Sequence, residues 1–287
     1  MKRLDRKEMA QWLTGAEQAA PVYLVGIGGC GMSGLAHLLL DVGFAVYGSD
    51  LRETPGVYQL RERGAEIFIG HAPEQLRTAR PDLVVYSSAI RTDNPELTVA
   101  EQQGLPMVRR AVLLAALTHQ RRSICIAGMH GKTTTTALLA HALEALDTDP
   151  GFAVGALAPQ LGRHARVGME GSFFVVETDE SDGTLREFQP HQSIVLNIDE
   201  EHLDFYANFE AVCDEFGAFA AQTSDTVFFC ADDFRLAELY RTQSAAITFG
   251  FNSTADYRAE IQPDHSFVVR NGDAHLGEFN ICLYGEK

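Results

Sequence analysis

The sequence predicts an α/β protein of two units: a doubly wound parallel sheet, then a second α/β unit that ends in a small β appendage. Three observations carry this. Short apolar runs of strand type alternate with segments of helical spacing, the pattern of parallel strands joined by crossover helices. Two glycine-rich loops each lie between such a strand and such a helix. The chain has 287 residues, 46% of them hydrophobic, enough for two cores at roughly 100–200 residues per domain.

The elements follow in order. Residues 4–19 form a short helix or a loosely held arm, so 1–20 are set apart as an N-terminal arm. Pro21 breaks the chain, and Val22-Tyr23-Leu24-Val25 is an apolar strand that ends in glycines. Residues 33–41 have helical apolar spacing, and Ala45-Val46-Tyr47-Gly48 is the next strand. A helix through 60–63 stops at Gly64 before the strand-like Glu66-Ile67-Phe68-Ile69. Asp82-Leu83-Val84-Val85-Tyr86 is a strand of buried type, and 96–103 is a helix ended by Gly104. The pattern restarts with the strand Ser123-Ile124-Cys125-Ile126-Ala127 and a helix over 135–146. Phe173-Phe174-Val175-Val176-Glu177, Ser193-Ile194-Val195-Leu196-Asn197 and Thr226-Val227-Phe228-Phe229-Cys230 are further strands, with a helix over 209–221. From Ile247 onward short alternating strands follow, with a hairpin turn at Asn271-Gly272-Asp273. The boundary falls near 112–122, which gives domains over 21–115 and 116–287.

Charge narrows the functional classes. Lys and Arg number 23 against 39 Asp and Glu, a net charge of −16. So acidic a chain lacks the basic footprint of a general nucleic-acid or anionic-membrane surface. Its apolar stretches, around Leu38-Leu39-Leu40 and over 112–117, are too short to span a bilayer, so membrane insertion is not expected. The start, Met1-Lys2-Arg3-Leu4-Asp5-Arg6-Lys7-Glu8, lacks the apolar core of a secretory signal. Cys30, Cys125, Cys213, Cys230 and Cys282 are scattered, with no Cys-x-x-Cys pair, and read as free thiols of a reducing, cytoplasmic compartment.

The first loop, Gly26-Ile27-Gly28-Gly29-Cys30-Gly31, satisfies G-x-G-x-x-G, and Asp50 closes the second strand. This is the dinucleotide fingerprint of a Rossmann-like domain. Glycines let the backbone approach a pyrophosphate, the helix N-terminus supplies N–H donors, and the acid reads a ribose. The motif reports a pyrophosphate without saying whose, so an NAD-linked oxidoreductase stays open here. The second loop, Gly128-Met129-His130-Gly131-Lys132-Thr133-Thr134, also follows a strand and opens a helix. It is P-loop-like but departs from the common spacing, because Ile126 stands six residues before Lys132. Its backbone N–H groups suit phosphate, Lys132 the outer phosphates, and Thr133 a metal ion. Lys132 is the one lysine between Lys7 and Lys287.

Two acidic runs sit at strand ends, Glu177-Thr178-Asp179-Glu180-Ser181-Asp182 and Asp199-Glu200-Glu201-His202-Leu203-Asp204. Ligands of an open parallel sheet lie beyond the carboxyl ends of its strands. Both runs therefore point to the crevice of the Lys132 loop, where carboxylate and imidazole suit Mg²⁺ bridging to nucleotide oxygens. Taken alone, each run is a solvated acidic loop. One Rossmann-type and one ATP-type loop together suit an enzyme that holds a nucleotide-linked substrate and a separate ATP.

At these residues the chain resembles the Mur ligases. The matching stretches are Gly26 to Gly34, Gly48-Ser49-Asp50, Gly70-His71, Ser87-Ser88-Ala89-Ile90 with Asp93-Asn94-Pro95-Glu96, Arg110, Gly128 to Thr136, Glu177 to Asp182 and Asn197 to Tyr206. They run in family order over nearly the whole chain. Within the family, the alanine-adding branch is the nearest. The peptide-recycling branch usually has Tyr-Pro-Pro-Met where this chain reads Leu51-Arg52-Glu53-Thr54 after Asp50. Departures are Met129 for the usual Thr, Gly155-Ala156 for Gly-Gly, and Glu201 for the Asp before the metal-binding His. No lysine lies between Thr133 and Glu286, which agrees with a branch that does without the carbamylated lysine of later members.

The resemblance implies ATP-dependent ligation of L-alanine to UDP-N-acetylmuramate through an acyl phosphate, with ATP and Mg²⁺, in peptidoglycan precursor synthesis. It implies Lys132 on the γ-phosphate, and His130, Glu177 and His202 beside it in catalysis. Gly128, Met129, His130, Gly131, Lys132, Thr133 and Thr134 are the implied ATP-binding residues, and Thr133, Glu177 and His202 the metal ligands. Gly28, Gly29, Gly31 and Ser33 are expected to hold the UDP pyrophosphate and Ser49 and Asp50 the uridine end. His71, Ser87, Ser88 and Asn94 are expected as secondary contacts to the sugar nucleotide. A third, C-terminal Rossmann-like domain is implied beyond a segment such as Leu283-Tyr284-Gly285-Glu286-Lys287. Its absence here leads to the expectation that the chain binds the UDP-sugar with little turnover. The alternatives are a non-catalytic UDP-sugar-binding module and the recycling ligase.

Overall fold

A computed structural model of the protein describes residues 3–17, 19–240 and 245–280. Cys282 and the 283–287 segment lie outside the described residues. The chain divides into two compact units. One takes the chain through Ser123 together with Thr136–Glu177, and the other takes Ile124–Thr135 and the chain from Thr178 onward.

In the first unit, α1 (Arg6–Gly15) opens on a capping box, Asp5 Oδ1 accepting from Glu8 N–H and Glu8 Oε2 from Asp5 N–H. It packs on α6 (Arg110–His119), and Leu4 N–H donates to Met107 O at 2.9 Å, so the stretch is held against the unit. Between them run β1 (Pro21–Val25), α2 (Cys30–Asp41), β2 (Ala45–Asp50), α3 (Pro55–Glu62), β3 (Glu66–Ile69), α4 (Pro73–Ala79), β4 (Leu83–Tyr86), α5 (Pro95–Gln102) and β5 (Met107–Arg109). The strands pair in parallel in the order β3-β2-β1-β4-β5. Strands β1 and β4 are apolar runs because both faces of the sheet are covered, and Tyr23, Val25 and Val84 pack into one buried cluster with Leu97 and Ala100 of α5. Helices α3, α4 and α5 begin at proline, where the missing N–H has no helical partner to lose.

Helix α6 is a difference from the sequence reading, which saw 112–117 only as an apolar stretch. Ala111 through Thr118 are all buried, so no amphipathic period marked the helix. The expected division after residue 115 falls inside it. Packing also draws a later segment into this unit: most of α7 (Lys132–Ala145), β7 (Gly151–Ala153), β8 (Ala165–Arg166) and β9 (Phe173–Glu177). Strand β7 pairs parallel with β9 and antiparallel with β8. Helix α2 packs on β8, and Asp41 Oδ2 accepts from Val167 N–H at 3.0 Å.

The second unit is a mixed sheet. Strands β6 (Arg122–Ala127), β10 (Gln192–Val195), β11 (Thr226–Cys230), β12 (Ala246–Gly250) and β13 (Tyr257–Ile261) pair in parallel. Then β13, β14 (Phe267–Asn271) and β15 (Ala274–Phe279) form an antiparallel meander, the β appendage read from the alternating pattern. Its turn sits at Asn271-Gly272-Asp273, with Gly272 at φ +54°. Asn208 caps α8 (Phe209–Ala221), and α9 (Phe234–Tyr240) follows β11.

Candidate functional site

In the first unit, strand order reverses between β1 and β4, where open parallel sheets place their ligands. The turn after β1 needs glycine: Gly26 stands at φ +78°, and its N–H and that of Ile27 donate to Ser49 O at 2.8 and 2.9 Å. Gly28 N–H donates to Asp50 Oδ2 at 2.8 Å, and Arg52 N–H to Asp50 Oδ1 at 3.1 Å. The acid that sequence assigns to the uridine end therefore also braces the glycine loop. Gly29 is the N-cap of α2. A Cβ at Gly31 would lie 2.5 Å from Arg110 Nη1, so glycine here lets a guanidinium lie on the first turn of α2. Arg110 matched the motif pattern but received no role from sequence; only the approach of α6 reveals a cation beside the loop.

Four of the predicted contacts have partners or burial within the unit itself. Ser33 is 2% exposed and its Oγ is buried without a hydrogen-bond partner, because α2 turns it into the unit. Asn94 caps α5, its Oδ1 accepting from Glu96 N–H at 2.9 Å and Leu97 N–H at 3.3 Å. Ser49 and His71 meet each other and the fully buried Glu96, with Ser49 Oγ donating to Glu96 Oε2 at 2.7 Å and His71 Nδ1 at 2.8 Å from the same oxygen. Ser87, half-buried, and Ser88, exposed, lie just beyond β4 at the strand-order reversal.

In the second unit, the turn from β6 into α7 carries Gly128 at φ +143° and Gly131 at φ +83°. A Cβ at Gly128 would lie 3.0 Å from Leu196 Cβ, so the loop approaches the end of β10 closely. Asn197 clamps it there: Asn197 Oδ1 accepts from His130 N–H at 2.8 Å, Asn197 Nδ2 donates to His130 O at 3.0 Å, and Met129 N–H donates to Asn197 O. Met129 is buried, whereas the His130 side chain is exposed and 3.4 Å from Glu201. Lys132 opens α7 and folds back over its own loop, donating to Gly128 O at 2.6 Å, Met129 O at 3.3 Å and Glu180 Oε1 at 2.7 Å. Thr133 and Thr134 follow in the first helical turn, where backbone N–H groups and dipole favour anions.

Glu180 is the residue that sequence reasoning missed. It was one of four carboxylates in its run, and nothing in the spacing separates it from Glu177. Yet it is 2% exposed, faces both Lys132 and His202 Nε2 at 3.4 Å, and keeps a buried Oε2 without a hydrogen-bond partner. Burial pushes its carboxyl above the usual carboxylate range, against the opposite pull of Lys132. Tyr206 OH donates to Glu180 O at 2.5 Å, and burial raises that phenol as well. His202 stands at φ +57°, a left-handed conformation that a non-glycine residue adopts under constraint. Its carbonyl accepts from Phe205 and Tyr206 N–H, each at 2.9 Å.

Glu177 closes β9 in the first unit, and its Oε2 accepts from Gly155 N–H at 2.7 Å. A Cβ at Gly155 would lie 2.7 Å from both carboxylate oxygens. Among the described residues, no three His, Cys, Asp or Glu side chains converge as a metal-ligating group. The implied set draws only two from those types, adding a threonine hydroxyl. Glu180 Oε2, buried without a hydrogen-bond partner, is the kind of hard oxygen that Mg²⁺ or its bound water takes, and His202 Nε2 lies 3.4 Å from the other oxygen of that carboxylate, so the donor chemistry fits.

Comparison with known proteins gives the following. The family model described as Mur ligase family, catalytic domain, matches residues 21–122, and the Mur ligase middle domain matches 126–287. The chain is similar to UDP-N-acetylmuramate–L-alanine ligase of Aquifex aeolicus, 40% identical over 94% of this chain and 60% of that protein. It is 42% identical to the Hyphomonas neptunium protein of that name, over 83% of this chain and 51% of the other. Among solved structures, the UDP-N-acetylmuramate-alanine ligase of Thermotoga maritima is 29% identical with a TM-score of 0.79, covering 90% of this chain and 59% of that one. A UDP-N-acetylmuramate:L-alanyl-γ-D-glutamyl-meso-diaminopimelate ligase from Neisseria is 25% identical with a TM-score of 0.85, covering 93% and 89%. The chain thus spans 51–60% of the length of these two curated relatives. Among the described residues, no helix is long and apolar enough to cross a membrane.

Proposed function

This chain belongs to the Mur ligase family, and on that premise we propose that it serves ATP-dependent ligation of L-alanine to UDP-N-acetylmuramate in peptidoglycan precursor synthesis. The observation that carries the reading is Lys132, seated across the Gly128–Gly131 turn and held by a buried carboxylate at the mouth of α7. The 40% identity to an alanine ligase supports the amino-acid assignment.

The proposed chemistry has two steps. The lactyl carboxylate of the sugar nucleotide attacks the γ-phosphorus of ATP, the bond to ADP breaks, and an acyl phosphate forms. The amine of L-alanine then attacks the acyl carbon, and phosphate leaves as the amide forms and the amine loses a proton. In phosphoryl transfer the protein mainly positions groups and neutralises charge. Lys132 supplies a compact cation to the outer phosphate, and the N–H groups of the turn and of the first turn of α7 cradle the rest. Asn197 keeps the turn in shape through its two bonds to His130. Thr133, Glu177 and His202 are the proposed Mg²⁺ ligands, with Glu180 beside His202; when bound, the ion neutralises phosphate charge. The first unit holds the UDP portion, with Gly28, Gly29 and Gly31 on the pyrophosphate and Arg110 as added cation. Asp50 and Ser49 serve the uridine end, with His71, Ser87 and Ser88 as further contacts.

Calorimetry of the chain with UDP-N-acetylmuramate, Mg·ATP and NAD separately tests this. Binding of the first two and not the third is expected. UDP-sugar binding without ATP binding would instead make the chain a binding module, and NAD binding alone would reject the reading. L-alanine-dependent phosphate release by this chain then tests whether it turns over by itself.

A further inference from the structure

The first unit contains a buried polar network centred on Glu96, a residue that has no part in the mechanism proposed above. Glu96, in the first turn of α5, has no exposed surface, yet four donors converge on its carboxylate. Tyr23 OH donates to Oε1 at 2.5 Å, and Gln75, its amide turned to face its complements, donates Nε2 to the same oxygen at 2.9 Å. Ser49 OH at 2.7 Å and His71 Nδ1 at 2.8 Å serve Oε2. An ionised carboxylate is acceptor-only and takes all four. Burial, then the bond to Glu96, raises the Tyr23 phenol, so that group remains a donor.

The pattern dictates the state of His71. Ser49 gives its hydroxyl hydrogen to Glu96, so toward His71 Nδ1, 2.9 Å away, Ser49 Oγ acts as acceptor. Nδ1 must therefore carry a hydrogen, shared between Ser49 Oγ and Glu96 Oε2. Among the described residues no bond engages Nε2. In the neutral ring that nitrogen has an open lone pair, aimed by a ring pinned on its other side. Both residues lie at carboxyl ends of strands, Ser49 near the end of β2 and His71 just past β3, and the Ser49 carbonyl holds the glycine turn.

We propose that Glu96 is a positioning residue of the nucleotide site: it fixes His71 in the Nδ1–H form and the Ser49 hydroxyl in one rotamer, which leaves Nε2 to accept from a hydroxyl or imide N–H of a uridine nucleotide. The ligand half rests on the proposed function; the tautomer half stands on the network alone. An apolar residue at 96 would leave Tyr23, Ser49 and His71 without their shared acceptor, and the ring free to adopt the commoner Nε2–H form.

Long-range proton–nitrogen NMR of histidine-labelled full chain, with UDP titrations of wild type, Glu96→Gln and Tyr23→Phe, tests this. The wild type should show His71 with Nδ1 protonated. Glu96→Gln should populate Nε2–H and weaken UDP binding about tenfold, the equivalent of about one lost net hydrogen bond. Tyr23→Phe removes a donor from the same carboxylate without touching His71, and should leave UDP affinity within about twofold. A purely structural role would move the two variants together and overturn the proposal. So would an Nε2–H ring in the wild type, a readout that stands even if Glu96→Gln fails to fold. The expected tautomer in a wild-type chain that does not bind UDP would overturn the nucleotide reading instead.

Discussion

Lys132 Nζ lies 2.7 Å from Glu180 Oε1, and the lysine side chain is 15% exposed against 2% for the glutamate. The cation proposed to bind phosphate is thus held by a buried internal anion, which the outer phosphates of a nucleotide would have to replace as its partner. Removing one member of such a pair strands the other.

Lys132→Ala should therefore do two separable things. It should abolish ATP binding and acyl-phosphate formation while leaving UDP-N-acetylmuramate affinity within about twofold. It should also destabilise the fold by about 1–3 kcal/mol, since Glu180 loses its cation. Adding Glu180→Gln should restore most of the stability and none of the ATP binding. Denaturant melts with calorimetry check this; loss of both ligands together would reject the division of labour between the loops.

Asn197→Ala removes both side-chain bonds to His130. A stability loss of about 1–2 kcal/mol and weaker Mg·ATP binding are expected, with UDP-sugar affinity unchanged. Unaltered nucleotide affinity would mean that the turn keeps its shape without the clamp.

Two glycine variants should behave oppositely. At Gly31 a Cβ meets the far end of the flexible Arg110 side chain, so Gly31→Ala should fold with stability within about 1 kcal/mol of wild type but bind UDP-sugar more weakly. At Gly48 it meets the Leu24 carbonyl at 2.6 Å, backbone that has nowhere to go, so Gly48→Ala should lower stability first. Thermal melts paired with UDP titration separate the two outcomes.

His37 supplies a pH dependence. It is 3% exposed, its Nδ1 accepts from Arg63 Nη1 at 2.7 Å, and burial followed by the Arg63 charge lowers its pKa from 6.5 to about 4. Because the folded value lies below the unfolded one, the unfolded chain binds more protons between them. The contribution of His37 is fully present above about pH 6.5 and is lost as pH falls through 4. Discounted for solvent screening, it is about 1–3 kcal/mol. Urea melts at pH 7.5 and 4.5 should show this difference, reduced in His37→Gln.

The two glycine loops, the strands they follow and the β appendage were legible because each is local: a turn that requires positive φ, an apolar run, a hairpin signal. Helix α6 was not, since a helix buried on every side has no period to read. Nor were the roles of equivalent residue types. Glu177 and Glu180 sit three apart in one acidic run, and Asn94 and Asn197 both sit in matching motifs. One asparagine caps a helix and the other clamps a loop, a distinction made by what packs opposite each.

The sequence by itself therefore determined the fold class, the two glycine-rich loops and the family, all of which depend on residue type and spacing along the chain. Tertiary structure alone decided that Arg110 lies on Gly31, that Ser33 turns inward, that Glu180 holds Lys132, and that Glu96 gathers Tyr23, Ser49 and His71. The reason is burial. A carboxylate in a sequence is a solvated charge by default, and only when other elements close over it do its few remaining partners fix what it does.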